Sequence, residues 1–160
     1  MSRRLLAAAA AATLALLAGT AGCSEDADEP DGAHGAGQSL SVTTGPTASA
    51  APEVGSSLSP AEFAAAAQRP DTVILDVRTP EEYAEVHLEG AVLADLQDPA
   101  RFEAAVAELD PALSYAVYCR TANRSAVAMD HLAQAGFGSY YDLAGGIDAW
   151  VDAGGVVVTD

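Results

Sequence analysis

The chain has 160 residues, with 7 Lys and Arg, 23 Asp and Glu, and a formal net charge of -16. This excess of acidic residues argues against a surface that binds nucleic acid or anionic lipid, because such surfaces need clustered basic side chains. Two cysteines exclude a disulfide-rich scaffold, and the absence of lysine excludes Schiff-base and P-loop chemistry. The length suits one ordinary domain with some chain to spare.

Residues 1–22 have the pattern of an export signal. Two arginines precede an apolar stretch from Leu5 to Leu17, which is short for a membrane-spanning helix and typical of a signal peptide. Small residues then lead to Cys23, an arrangement that resembles the lipobox of bacterial lipoproteins. This resemblance implies a lipid on Cys23 and anchoring at the extracytoplasmic side of the cell membrane. The alternative is a plain signal peptide that is cleaved after Ala21 or after Gly22, with Cys23 left unmodified.

Residues 23–57, which begin with Cys23, are predicted to be a disordered linker. Acidic residues cluster between Glu25 and Asp31, and Gly, Ala, Ser, Thr and Pro dominate from Gly32 to Ser57. This stretch has no helix or strand period and too little apolar surface to offset its chain entropy. His34 has no metal-ligating partners nearby in the sequence, so no metal site is predicted. A domain tethered to the membrane would follow at residues 58–160.

Residues 58–160 alternate helix signals with short apolar runs. A capping residue followed by proline predicts helices that start at Ser59-Pro60, Thr79-Pro80 and Asp98-Pro99. Apolar runs predict buried parallel strands at 73–75 and 115–118, and a third strand is predicted at 139–142. Further predictions are a helix at 125–135, a turn at Gly145-Gly146, a short helix at 147–151 and an edge strand at 156–159. This alternation predicts an α/β fold with an open parallel sheet and helices on both faces.

The most informative segment lies between a predicted strand and a predicted helix and reads Cys119-Arg120-Thr121-Ala122-Asn123-Arg124-Ser125. Open α/β sheets bind ligands beyond the carboxyl ends of their strands. The helix N-terminus, the loop amides and the two arginines would all favour the reactive thiolate of Cys119, and they would hold an oxyanion beside it. The alternative is a buried structural cysteine. If Cys23 carries a lipid, Cys119 has no disulfide partner and is a candidate nucleophile.

Four segments in order resemble the rhodanese domain family. They are the loop from Cys119 to Ser125, residues 75–83 (LDVRTPEEY), residues 86–91 (VHLEGA) and residues 143–150 (LAGGIDAW). The resemblance implies a sulfurtransferase in which Cys119 takes a sulfane sulfur as a persulfide and passes it to a thiol or cyanide. It also implies loop amides that hold the persulfide, and Arg120 and Arg124 that attract an anionic donor such as thiosulfate. No metal and no organic cofactor is implied.

Three further residues are expected to support the loop: Asp76 and Arg78, which lie at a predicted strand end, and His87, which matches a position of the family. Asp76 is expected to cap the end of its strand or to face the loop. Arg78 is expected to pair with Glu81 or Glu82 across the following turn. His87 is expected to form hydrogen bonds beside the site.

Some positions depart from the family pattern. Ala122 stands where glycine is usual, and its Cβ disfavours a positive φ. Val86, Glu89 and Leu93 replace the usual glycine, proline and asparagine around His87, so access to the site is expected to differ.

The spacing within the loop favours sulfur transfer. Four residues separate Cys119 from Arg124, whereas the phosphatase and arsenate-reductase relatives on this fold have five, enough to cradle a larger oxyanion. The remaining alternatives are a non-catalytic binding or thiol-sensing module and a thiol oxidoreductase, which would need an external thiol. The sequence identifies no protein partner and predicts no nucleic-acid partner.

Overall fold

Ten helices and strands occupy residues 39–159, the part of the chain that the computed structural model describes. In chain order they are β1 (Ser57–Leu58), α1 (Pro60–Ala67), β2 (Thr72–Asp76), α2 (Pro80–Glu85), β3 (Val92–Leu93), α3 (Pro99–Ala107), β4 (Ser114–Tyr118), α4 (Asn123–Gln134), β5 (Tyr140–Leu143) and α5 (Gly146–Asp152). The strands are all parallel, in the order β1-β5-β4-β2-β3, which confirms the predicted fold class. The predicted signal peptide, Cys23 and His34 lie outside the described residues.

Three helices begin at the prolines that predicted them. Ser59 and Glu62 exchange hydrogen bonds between side chain and backbone at the start of α1, and Thr79 and Glu82 do the same at α2. The side chain of Asp98 accepts from a backbone amide at the start of α3. These bonds satisfy amides that have no partner inside the helix.

Apolar side chains cover both faces of the sheet. Alternate residues of a strand point to opposite faces. In β4, Tyr115 and Val117 belong to the core formed with α3 and α4, whereas Ala116 and Tyr118 belong to the core formed with α1 and α5. Burial on both faces explains the unbroken apolar run of this strand. Its carboxyl end delivers Cys119 to the edge of the sheet.

Several elements differ from the sequence prediction. The two-residue strands β1 and β3 were not predicted, because a run so short has no period. Helix α4 begins at Asn123, two residues before the predicted start. The edge strand predicted at 156–159 is wrong: Val158 forms only an isolated antiparallel bridge with His87, outside the five-stranded sheet.

Residues 39–48 form a strap along α1, whereas a disordered linker was predicted here. Val42 is buried, and the Ala48 amide donates to the Ala65 carbonyl at 2.7 Å. The side-chain amide of Gln68 lies 3.2–3.4 Å from strap carbonyl oxygens, including that of Ser41. The folded unit therefore includes residues before Leu58.

Among residues 39–159, no helix is both long enough and apolar enough to cross a bilayer.

Candidate active site

Cys119 follows β4 directly, and its side chain is almost fully buried. Its Sγ lies 3.8 Å from the hydroxyl oxygen of Ser125, which belongs to the first turn of α4. Within the described residues, the backbone amides of Arg120, Thr121 and Ala122 donate to no protein acceptor. A strand end, a tight loop and a helix N-terminus thus meet at one thiol, and amides remain available to a negatively charged group.

Helix α5 braces this loop from the other side. The amide of Ile147 donates to the Cys119 carbonyl at 2.9 Å, and the amide of Asp148 donates to the Arg120 carbonyl at 3.2 Å. A Cβ on Gly146 would lie only 2.4 Å from the Arg120 carbonyl oxygen. The glycine therefore permits the close approach that brings the N-terminus of α5 onto the loop.

Ala122 adopts the conformation that the sequence made unfavourable. Its φ is +70°, the left-handed region, and it is the one non-glycine residue with a positive φ between residues 39 and 159. For a residue with a Cβ this conformation costs about 1–2 kcal/mol. The loop thus keeps the backbone geometry that suits glycine while carrying alanine.

Replacing Ala122 with glycine is expected to stabilise the protein by about 1 kcal/mol, because it removes the strain of the Cβ. The urea midpoint of unfolding measures the effect. Ala126→Gly is the matched control: Ala126 is exposed in the interior of α4, where glycine costs about 0.5–1 kcal/mol. Two shifts of the same sign would contradict the assignment of strain to Ala122.

Arg124 binds Glu82 and so ties the start of α4 to α2. Two nitrogens of the guanidinium donate to the two carboxylate oxygens of Glu82, at 2.6 and 2.7 Å. The hydrogen bond from Arg124 is the main reason that the pKa of Glu82 falls to about 2. The Glu82 carboxylate in turn raises the pKa of Arg124, and Cys119 adds a smaller contribution in the same direction. Arg124 therefore lies near the thiol with much of its charge already compensated.

This ion pair predicts an acid-dependent loss of stability. Because the pKa of Glu82 is lowered in the folded protein, the pair stabilises the fold above the unfolded pKa of about 4.3 and is lost as the pH falls to about 2. Glu82→Gln should thus be less stable than the unmodified chain at pH 6, and the difference should shrink towards pH 2. Urea unfolding at several pH values, followed by the fluorescence of Trp150, measures it.

Glu81→Gln is the control for this comparison, since it removes the same charge from the same helical turn at an exposed position. A difference for Glu82→Gln that stays constant with pH would show that the ion pair does not contribute to stability.

A cleft of about 430 Å³ opens beside the loop. Its lining combines two arginines, four acidic residues and three apolar side chains: Arg78, Arg120, Glu82, Glu85, Asp148, Asp152, Val86, Ile147 and Val151. Arg120 is 66% exposed and lies 3.5 Å from the Asp148 carboxylate. Each arginine between residues 39 and 159 is paired with a carboxylate in this way. The mouth of the site is therefore rich in acidic groups.

Asp76 and Arg78 form a buried ion pair below this mouth, so the expected pairing of Arg78 with Glu81 or Glu82 is wrong. The guanidinium donates to the Asp76 carboxylate at 2.6–3.1 Å and to the Val86 carbonyl at 2.6 Å. Burial alone would lower the pKa of Arg78, but Asp76 outweighs it and raises that pKa. Asp76 ends β2, and the bend after the strand turns the Arg78 side chain back onto the Asp76 carboxylate. Glu82 instead pairs with Arg124.

His87 is buried and stacked on Tyr83, and its Nδ1 donates to the Tyr83 carbonyl at 2.9 Å. This hydrogen bond holds the segment that supplies Val86 to the cleft. The other loop residues lie at the surface: the side-chain amide of Asn123 donates to the Thr121 hydroxyl at 3.3 Å. Of the predicted site residues, Asp76 ends β2 and Cys119 follows β4, so both lie at the carboxyl ends of neighbouring parallel strands.

Sequence reasoning missed one buried carboxylate at this site. Asp142 ends up behind the loop because β5 lies next to β4, and its Oδ2 accepts a hydrogen bond from the Ser125 hydroxyl at 2.8 Å. Asp142 could have been identified as a candidate site residue from its position near the carboxyl end of a predicted strand, which it shares with Cys119. A larger, mostly apolar cavity of about 540 Å³ between α3 and α4 is lined by no cysteine, serine or threonine, so we take Cys119 as the candidate site.

Most of the described chain matches a known protein family. The family model described as "Rhodanese-like domain" matches residues 59–153. Thiosulfate sulfurtransferase GlpE of Pseudomonas fluorescens is 35% identical over 91 residues, which cover 57% of this chain and 81% of that protein. A sulfurtransferase of Allochromatium vinosum is 34% identical, over 52% of this chain and 76% of its own length.

Two further matches are a relative of which only a small part is covered and a solved structure with a similar fold. The tRNA uridine(34) hydroxylase of Cytophaga hutchinsonii is 36% identical over 58% of this chain, but the match spans only 30% of that protein. A solved rhodanese-related protein from Thermoplasma volcanium is 28% identical with a TM-score of 0.57, over 66% of this chain and 99% of its own.

Proposed function

Because the chain belongs to the rhodanese-like domain family, we propose that it transfers a sulfane sulfur through a persulfide on Cys119. The donor is a small thiosulfate-like molecule, and the acceptor is a thiol or cyanide. The observation that carries the proposal is the position of Cys119, buried at a strand end beneath free loop amides and beside a cleft. The names of the sulfurtransferase relatives support the same class of reaction.

The reaction has two displacement steps. The Cys119 thiolate attacks the outer sulfur of thiosulfate, the S–S bond of thiosulfate breaks, and sulfite leaves with the bonding electrons. The acceptor then attacks the outer sulfur of the Cys119 persulfide; with cyanide, thiocyanate forms and the thiolate returns. The amides of Arg120, Thr121 and Ala122 are placed to stabilise the negative persulfide. The protein is neither oxidised nor reduced over the cycle.

The test follows the sulfur atom on the full chain. The protein is incubated with thiosulfate, its intact mass is recorded, and cyanide is added before thiocyanate is assayed. The chain has no lysine and few arginines, so trypsin cleaves at few sites and releases peptide 102–120 between Arg101 and Arg120. This peptide contains Cys119 but not Cys23. We expect a gain of one sulfur on that peptide, removed by cyanide. No uptake from thiosulfate or from a persulfide donor would favour a non-catalytic binding module.

We also propose export and anchoring through a lipid on Cys23, which rests on the sequence pattern of residues 1–23. Labelling of cells with radioactive palmitate tests this proposal on the full chain and on Cys23→Ala. Label on the first chain only is the expected result, and equal labelling of both would refute it.

A further inference from the structure

The strap is held by one side chain at the end of α1. The side-chain amide nitrogen of Gln68 lies 3.2–3.4 Å from three strap carbonyl oxygens, those of Ser41, Thr44 and Pro46. The amide has two hydrogens to donate, so these carbonyls share it. Val42 adds an apolar contact, because it is 5% exposed and belongs to the core formed with α1 and α5. The position of the strap therefore depends on Gln68 and Val42.

The strap is joined in turn to the tail, residues 154–159, which follows α5. The amide of Val156 donates to the Leu40 carbonyl at 2.7 Å. Leu40 and Val157 also pack against the same core, the one formed with α1 and α5. Both the strap and the tail lie outside residues 59–153, the part of the chain that matches the family. Two segments outside the matched domain are thus bound to each other.

Both segments also bind residues 86–89, next to the cleft. The His87 amide donates to the Val158 carbonyl at 2.9 Å, and the Val158 amide donates to the His87 carbonyl at 2.8 Å. From the strap, the hydroxyl of Thr43 donates to the Glu89 carboxylate at 3.0 Å. Glu89 is one of the positions that depart from the family pattern. The strap and the tail therefore hold the segment in which this chain differs.

Residues 86–89 connect these contacts to the active site. Val86 lines the cleft, and its carbonyl accepts from the Arg78 guanidinium at 2.6 Å. The Leu88 amide donates at 3.1 Å to the hydroxyl of Tyr118, the last residue of β4. A binding wall that is already ordered spares the ligand the free-energy cost of ordering it. Contacts that keep this segment in place should therefore favour binding in the cleft.

We propose that Gln68 is a positioning residue for sulfur transfer, which acts through the strap and the tail to hold residues 86–89 in the shape that binds the donor. The route runs from Gln68 to the strap, from Leu40 to the tail, and from the tail to His87. This inference rests on the proposed function, because its effect is on donor binding. The loop at Cys119 is braced separately by α5, so the chemical step should not depend on the strap.

The first test compares hydrogen exchange of full-length Gln68→Met with that of the unmodified chain. Methionine has a side chain of similar length but donates no hydrogen bond. We expect peptides that cover the strap, the tail and residues 86–91 to exchange about tenfold faster, while the peptide that covers β4 exchanges at its original rate. Faster exchange in the strap alone would overturn the proposal, because the release would then stop short of the cleft.

The second test measures sulfur uptake from thiosulfate by the same variant. The KM for thiosulfate is expected to rise at least about threefold, with kcat kept within about twofold. A fall in kcat at unchanged KM would contradict a role in donor binding. Gln97→Met is the matched control, because Gln97 is exposed and lies outside the strap, the tail and the cleft. It should change neither constant.

The two tests separate this inference from the proposed function. If the unmodified chain takes up no sulfur, the proposed function fails. Hydrogen exchange is measured without a donor, so it still decides whether Gln68 holds residues 86–91.

Val42→Ala provides a second variant should Gln68→Met fail to fold. It removes two methyl groups from the apolar contact of the strap and leaves Gln68 in place. We expect faster exchange in the same three peptides. Val54→Ala is the control, because Val54 is 50% exposed and its truncation should change no exchange rate. Unchanged exchange of residues 86–91 in Val42→Ala would rule out the route through the strap.

Discussion

Replacing Cys119 with serine is expected to lower the rate of thiocyanate formation from thiosulfate and cyanide by at least about 10³-fold, because the serine hydroxyl cannot form the persulfide. The two side chains differ little in size, so the buried position next to β4 should still be filled. The assay compares initial rates at saturating thiosulfate, and thermal unfolding checks that the variant is folded.

Cys23→Ser is the matched control, because it removes the other thiol of the chain and should leave the rate unchanged. A Cys119→Ser variant that is folded and still active would assign the nucleophile to another group and end the persulfide proposal.

Replacing Gly146 with alanine is expected to lower the free energy of unfolding by about 2–4 kcal/mol and to reduce sulfur uptake. The new Cβ would meet the carbonyl groups of Cys119 and Arg120 at 2.4–2.5 Å, and φ at this position is +65°. Either α5 or the loop must move, and both hold the amides and carbonyls that shape the site. Urea unfolding and the mass assay for sulfur uptake measure the two effects.

Gly136→Ala separates the two causes. Gly136 also has a positive φ, +88°, but a Cβ there would meet nothing within 4 Å. The free energy of unfolding of Gly136→Ala should therefore fall only by the backbone strain of about 1–2 kcal/mol, and sulfur uptake should be retained. Equal losses in both variants would show that the close approach to the loop is not what Gly146 provides.

The parts of the fold that follow from local rules could be predicted from the sequence. Prolines after Ser59, Thr79 and Asp98 marked helix starts, and the apolar run of β4 marked a strand buried on both faces. The position of Cys119 between a strand and a helix followed from these two elements. Each of these inferences needs only neighbouring residues.

The parts that depend on distant residues could not be predicted. Several carboxylates lie within a few positions of Arg78 in the sequence. The spacing of these residues does not predict the bend after β2, which places Arg78 against Asp76. Asp142 reaches Ser125 only because β5 lies beside β4, a matter of sheet order. The strap of residues 39–48 has weak local signals, since it is held by contacts with distant residues: buried Val42, the side-chain amide of Gln68 and a few main-chain hydrogen bonds.

Each arginine in residues 39–159 is paired with a carboxylate, and this pairing bears on how a donor of the proposed reaction would approach the domain. With the basic groups compensated and acidic groups in excess, the field outside the cleft is negative, and a dianion such as thiosulfate approaches against it. Dissolved salt screens such a field, with a Debye length of about 10 Å at 0.1 M ionic strength. Ionic strength should therefore quicken the encounter with an anionic donor and leave that with a neutral persulfide unaffected, the reverse of proteins that steer anions with exposed basic side chains.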